Sequence, residues 1–138
     1  IDNTLTTHGT KDDRSNIEFF KSLREIGFKT CLISNNKEKR VSPFAKAVGS
    51  PYIYKADKPS KKGYIKAIKT LNVKKEQTFF VGDQIFTDIW GANNAGIYSV
   101  LVDPISPKEE IQIVLKRFFE RIVLFFYKIK IDKVKKND

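Results

Sequence analysis

The sequence predicts an α/β fold, a three-layer, Rossmann-like parallel sheet with helices on both faces. Short apolar runs rich in Ile, Val and Phe alternate with segments of helical periodicity, the pattern of parallel strands joined by crossover helices. The apolar runs lack polar alternation, as strands buried on both faces do. Several runs end in Gly, Ser, Asn or Asp, so polar side chains collect at strand ends, where open α/β sheets bind ligands.

Each element follows from local pattern. Residues 1–5 read as the tail of a strand running into a polar loop. Ile17, Phe19, Phe20, Leu23 and Ile26 have helical spacing over 15–26, and Gly27 is a C-terminal stop. A strand over 28–33 ends at Ser34-Asn35-Asn36. A second helix covers 37–48, or only the part from Pro43 onward, because proline is tolerated near a helix start. A short strand at 51–54 leads to the loop Ala56-Asp57-Lys58-Pro59, and Ser60 caps a helix to Leu71. The run at 78–81 ends in Gly82-Asp83, where glycine lets the backbone turn sharply. A helix over 88–95 stops at Gly96, and a last strand spans 98–102. Over 107–130 the apolar residues, among them Phe118, Ile122, Phe125 and Phe126, form one helical stripe roughly 140° wide. The expected organisation is a core at 1–106 and an amphipathic helix with a basic tail at 107–138.

The bulk numbers narrow the function classes. A chain of 138 residues holds one domain with a real core. A single Cys31 excludes a disulfide framework and fits a reducing compartment or a plain core thiol; a lone His8 excludes a histidine-based metal site. No apolar run reaches spanning length. The net charge of +10 favours anionic partners such as phosphate esters, nucleic acid or an anionic membrane surface.

The chemistry gathers at the strand ends. Asp83 and Asp88 suit a hard cation such as Mg²⁺, which takes oxygen ligands; taken singly, they read equally as a turn residue and a helix cap. Ser34 likewise reads as a hydroxyl donor or a helix cap, and Lys58 as a site ammonium or a solvated lysine before a turn. Together the loops at Asp2-Asn3-Thr4-Leu5, Ser34-Asn35-Asn36, Lys58-Pro59 and Gly82-Asp83…Asp88 meet on one sheet edge. They offer carboxylates, a hydroxyl and an ammonium, the groups that phosphoryl transfer uses.

In this order and spacing the loops resemble the haloacid dehalogenase superfamily of phosphohydrolases, and more finely its subfamily IIIA, YqeG-type branch, which is similar to phosphatidylglycerophosphate phosphatases. The residues that carry the resemblance are Ser34-Asn35-Asn36 with Glu38, Arg40 and Val41; Ala56 with Lys58-Pro59; and Gly82-Asp83-Gln84 with Thr87-Asp88, Gly91, Asn93 and Gly96. The resemblance implies roles. Asp2 matches the general acid/base, its backbone carbonyl touching the metal, and Thr4 closes the same motif. Ser34, with Asn35 beside it, matches the group that holds the phosphoryl oxygens. Lys58 matches the lysine that neutralises phosphoryl charge. Asp83 matches a direct Mg²⁺ ligand, and Asp88 an acidic residue acting through water or on Lys58.

The sequence departs from the family pattern at its beginning. The family's nucleophilic Asp lies two residues before the acid/base Asp, a position that would precede Ile1, and the first, central strand would go with it. The expectation is an N-terminally truncated core whose 138 residues alone fold poorly and do not turn over. The gaps between motifs have no room for a cap domain, which suits a bulky substrate. The leading expectation is a capless, Mg²⁺-dependent phosphomonoesterase converting phosphatidylglycerophosphate to phosphatidylglycerol. It would be cytoplasmic, with peripheral contact at the inner membrane face through the 107–131 helix. The alternatives are a phosphatase of a small soluble ester and a non-catalytic basic binding module or pseudoenzyme. No nucleic-acid motif supports a specific nucleic-acid partner.

Overall fold

The computed structural model describes Leu5 and residues 14–104. Asp2, Thr4, the boundary at 106 and the expected helix over 107–130 lie outside the described residues. Within them the alternation is as the sequence predicts: α1 (Arg14–Glu25), β1 (Leu32–Ile33), α2 (Glu38–Val48), β2 (Tyr52–Ile53), α3 (Lys61–Leu71), β3 (Phe79–Gly82), a π-helical turn (Ile85–Ile89), α4 (Trp90–Asn94) and β4 (Tyr98–Leu101). A short 3₁₀ turn at Lys75–Gln77 precedes β3.

All described strand pairing is parallel. β1 pairs with β2, Leu32 opposite Tyr52, and β3 pairs with β4, Phe79 opposite Tyr98. The described strands thus form two two-stranded sheets. Successive strand residues point to opposite faces, and each face has its own cover. Leu32 packs with Phe20 of α1 and Phe44, Ala45 and Val48 of α2. Ile33 and Ile53 pack on the other face with Tyr64 and Ala67 of α3, Ala92 of α4 and Ile97. Phe80 of β3 joins that second cluster, its ring 5.0 Å from Tyr64 and steeply tilted to it. So α3 carries one core shared by both half-sheets. Between the inner edges of β1 and β3 lies an apolar groove of about 880 Å³, lined by Leu5, Phe20, Ile33, Phe80 and Ile97 and reached by Lys58 and Asp88.

Some boundaries differ from the sequence expectation. The strand expected over 28–33 is paired only at its end, because β2 offers just two residues after Pro51. α2 begins at Glu38 and keeps Pro43 inside it. The missing proline N–H removes one helical bond, but Val41, Phe44, Ala45 and Val48 are all buried on the core side and hold the helix together. Arg24 of α1 donates to the Val48 carbonyl at 2.7 Å, tying the ends of the two helices, and Gly49 stops α2 in the left-handed region at φ 66°. Asp88 does not start the last helix. The chain already winds from Ile85, and both Asp88 and Ile89 donate to the Gln84 carbonyl, which widens the turn to π geometry.

Gly91 is set by close approach. At Gly91 an added Cβ would lie 2.7 Å from the Tyr64 hydroxyl, so α4 reaches α3 only without a side chain there. Gly91→Ala is expected to lower stability by about 1–3 kcal/mol through overpacking. An unchanged urea midpoint would show that the two helices can part freely. Cys31 lies half-buried beside the core, and burial pushes its thiol up to about 11 from the ordinary 9.0. The folded state therefore holds this proton more tightly than the unfolded chain. That contribution is intact below pH 9.0 and is lost as pH rises from 9.0 towards about 11. Urea midpoints across that window should fall less in Cys31→Ala than in the parent.

Candidate active site

The described part of the site is built from three strand ends. At the end of β1, Ser34 is buried; its N–H donates to the Ile53 carbonyl and its own carbonyl accepts from Ala56, both at 2.9 Å. Its hydroxyl accepts from the Asn36 N–H at 3.1 Å, whereas the residue capping α2 is Lys37, which makes no side-chain cap bond. The helix-cap reading of Ser34 therefore does not apply. Ser60, in contrast, caps α3 as expected, its hydroxyl accepting from the Lys62 N–H.

Asn35 makes the link to the next loop. Its side-chain amide donates to the Lys58 carbonyl at 3.0 Å, and its side-chain oxygen accepts from the Lys58 N–H at 2.7 Å. This two-point clamp grips the Lys58 backbone, so the Asn35 side chain positions Lys58. The peptide between Lys58 and Pro59 is cis. Asp57, with φ 57°, is one of three described non-glycine residues in the left-handed region.

Lys58 is no solvated lysine. Its ammonium donates to Asp88 Oδ1, and the two side chains are only 11% and 4% exposed. The Nζ also lies 5.8 Å from the centroid of the Phe80 ring, a favourable face for a cation. Asp88 Oδ2 accepts from the Gln84 N–H at 3.2 Å, so each carboxylate oxygen has a donor. Gln84 in turn accepts from the Thr87 hydroxyl at 2.9 Å. Gly82 is needed here because an added Cβ would lie 2.5 Å from the Asp88 side chain. Its role is this approach, while the described left-handed glycines are Gly27, Gly49 and Gly96.

Asp83 follows at the end of β3 and is 4% exposed. Among the described residues no group of three or more His, Cys, Asp or Glu side chains could hold a metal ion. The two buried carboxylates are nonetheless an all-oxygen donor pair, and Mg²⁺ is held through one or two carboxylates with waters completing its shell. Asp83 suits such an ion directly, whereas both oxygens of Asp88 already accept from protein donors, so Asp88 would serve it through water.

Tyr64 was not legible as a site residue. It is fully buried, and its hydroxyl donates to the Thr87 carbonyl at 2.8 Å and lies 3.1 Å from that of Asp88. Burial, and then the negative charge of Asp88, push its phenol well above the ordinary range, so it stays a donor. Nothing in the sequence separates Tyr64 from any other core aromatic.

Helices around parallel strands, with polar strand ends tied together by a buried Lys–Asp pair, make up the strand-end site at which open α/β sheets bind ligands. The family model for haloacid dehalogenase-like hydrolases matches residues 2–96, and the chain belongs to that family. Within it the chain is similar to the probable phosphatase YqeG of Bacillus subtilis, 37% identical over 135 residues that cover 94% of this chain and 76% of that protein. A shorter stretch of 43 residues is 46% identical to glyceraldehyde 3-phosphate phosphatase of Pyrococcus furiosus, covering 31% of this chain and 18% of that one. The fold is shared with a haloacid dehalogenase phosphatase of Thermococcus onnurineus at a TM-score of 0.55 and 21% identity; the match covers 74% of this chain and half of that structure's chain. The chain is thus an enzyme of a phosphatase family. Among the described residues no helix is long and apolar enough to cross a membrane.

The buried pair makes a sharp energetic prediction. Lys58→Met alone leaves a buried, unpaired Asp88 and should cost about 3–5 kcal/mol. Lys58→Met combined with Asp88→Leu removes both charges and should cost less than Lys58→Met alone. Unfolding in guanidinium reads both, and strictly additive losses would show that the two side chains are not coupled.

Proposed function

We propose that the protein is a divalent-cation-dependent phosphomonoesterase whose substrate is the phosphate of an anionic lipid headgroup, phosphatidylglycerophosphate being the leading candidate. The observation that carries the phosphatase reading is the Lys58–Asp88 pair, buried at the strand-end edge with Ser34 and Asp83 buried at the neighbouring strand ends. The Lys58 ammonium offsets phosphoryl charge, and Asp88 holds it in place. The Ser34 hydroxyl donates to a phosphoryl oxygen. Asp83 and Asp88, with the Asp2 carbonyl, would hold Mg²⁺, which supplies Lewis-acid stabilisation of the phosphoryl oxygens. By the family resemblance Asp2 would give its proton to the leaving oxygen as the bond from phosphorus to that oxygen breaks. Asp2 then takes a proton from the water that releases phosphate, restoring its carboxyl group. Thr4 closes that loop.

The lipid reading is supported by the net charge of +10 and by the basic, Phe-rich pattern of residues 107–131, which suits peripheral contact with an anionic cytoplasmic leaflet. It is also supported by the short links between motifs, which leave a site open enough for a bulky headgroup. A second reading, a small soluble triose phosphate, is favoured by the 46% identity over 43 residues to a glyceraldehyde 3-phosphate phosphatase.

The test is phosphate release by the full-length gene product from phosphatidylglycerophosphate in vesicles and from glyceraldehyde 3-phosphate in solution, each with Mg²⁺ and with chelator. Vesicle turnover that needs Mg²⁺ and falls about 10²–10³-fold in Lys58→Met supports the lipid reading. Turnover of the soluble ester alone favours the second reading. No metal-dependent release from either substrate overturns both.

A further inference from the structure

We propose that the outer surface of α3 and α4 is a docking face for an anionic lipid bilayer, held by Lys61, Lys62, Lys66 and Lys69 and seated by Ile65 and Trp90. This surface is separate from the 107–131 segment. Its binding is read without turnover, so the inference does not depend on the phosphatase reading.

The charge of α3 is one-sided. Its 11 residues carry four lysines and no acidic side chain. The core takes one side of the helix, where Gly63, Tyr64 and Ala67 are buried. The lysines all lie on the exposed side. Lys61, Ile65 and Lys69 form one row at every fourth position, and Lys62 and Lys66 form the next. Lys62 and Lys66 are therefore like charges at i, i+4, and Lys61 and Lys62 stand in the first turn, where the helix dipole disfavours cations. The two preceding helices offset part of their charge. Lys21 pairs with Glu25 on α1 at 3.8 Å, and Glu38 opens α2. Among the described residues no acidic side chain pairs with the four lysines of α3. The Ser60 cap and the core contacts hold the helix, while its outer face keeps a charge that an anionic partner would offset.

Two exposed apolar side chains favour a bilayer over nucleic acid. Ile65, amid the lysines, is 37% exposed, and Trp90, at the start of α4, is 54% exposed. α3 and α4 cover the same sheet face, with Tyr64, Ala67 and Ala92 in one core, and Gly91 brings α4 against the Tyr64 ring. Trp90 therefore belongs to the same outer layer as the lysines. Tryptophan settles at the membrane–water boundary, where its ring is apolar and its N–H stays wet. Lysine stems lie along the same boundary and carry their ammonium groups to anionic headgroups. α3 has no arginine, the side chain best suited to phosphate forks and nucleic-acid recognition. The layer also reaches the site. α3 begins three residues after Lys58 and α4 two residues after Asp88, so the buried ion pair sits where both helices start. A bilayer docked on this layer would border the strand-end site.

Trp90 is the one tryptophan of these 138 residues, and the difference between parent and Trp90→Phe isolates its fluorescence. The full-length gene product is titrated, at about 0.1 M salt, with vesicles of phosphatidylcholine alone and of phosphatidylcholine mixed with phosphatidylserine, which carries no phosphomonoester. Sedimentation measures the bound fraction. The phosphatidylserine vesicles are expected to bind the protein and move Trp90 emission to the blue, and pure phosphatidylcholine to do neither. Lys62→Gln with Lys66→Gln is expected to weaken binding about 25-fold, or about fivefold for each lysine. The same variant should keep or raise the urea midpoint, because glutamine is a good helix former and the like-charge pair is gone. Lys39→Gln with Lys46→Gln makes the same change of net charge on α2, which packs with Leu32 on the other sheet face, and should weaken binding far less. The proposal is overturned if phosphatidylserine vesicles do not bind. Binding with unchanged Trp90 emission, or equal losses in the two double variants, overturns it too, since docking would then run through another surface or through net charge alone. Single-stranded RNA that binds more tightly than the vesicles, with the same loss in Lys62→Gln with Lys66→Gln, would make this a nucleic-acid surface and overturn it as well.

Discussion

Two charges meet out of water where the loop after β2 crosses the loop after β3. Taking an ammonium and a carboxylate into the interior costs several kcal/mol each, and mutual attraction repays this only when the geometry is good and the remaining polar valences are filled. Around Lys58 and Asp88 those conditions hold. The Lys58 backbone is clamped by Asn35, its Nζ faces the Phe80 ring, and the second Asp88 oxygen takes the Gln84 N–H. The pair therefore does more than join two side chains. Through Asn35 it connects the end of β1 to the loop after β2, and through Asp88 it connects that loop to the turn after β3.

The turn after β3 depends on two absences and one hydroxyl. Gly82 leaves room for the Asp88 side chain, and Gly91 leaves room for the Tyr64 ring. With that room, the Tyr64 hydroxyl reaches the backbone carbonyls of Thr87 and Asp88, which a regular α-turn would keep for its own helix. The wide turn is thus stabilised from α3, an element whose other residues pack both half-sheets. A side chain that serves the core and a backbone that serves the site are coupled through one phenol.

The pattern of the sequence reached far into this structure where periodicity decides. The helices at α1, α2 and α3, the parallel pairing and the stop at Gly49 follow from apolar spacing and glycine placement. Pairing length was not legible at β1, because it depends on how few residues β2 offers. Pro43 inside α2 was not legible either, because the burial that holds the helix is tertiary. At the site, Ser34, Lys58, Asp83 and Asp88 stood out as polar residues at strand ends. Asn35 stood out too, but its grip on Lys58 is a contact between loops 23 residues apart that no local pattern records. Tyr64 escaped for the same reason, its partners lying on another element.

The protonated state of Tyr64 has an optical consequence. Of the five tyrosines in the chain, Tyr64 is fully buried and donates to main-chain carbonyls beside a carboxylate. A phenol that loses its proton acquires the near-ultraviolet absorbance of a phenolate. Burial and the neighbouring Asp88 charge make Tyr64 hold its proton to higher pH while the turn after β3 stays intact, so it adds no phenolate band there. The molecule therefore carries its own chromophore for the integrity of that turn, one whose phenolate band comes in at lower alkaline pH once the turn is lost.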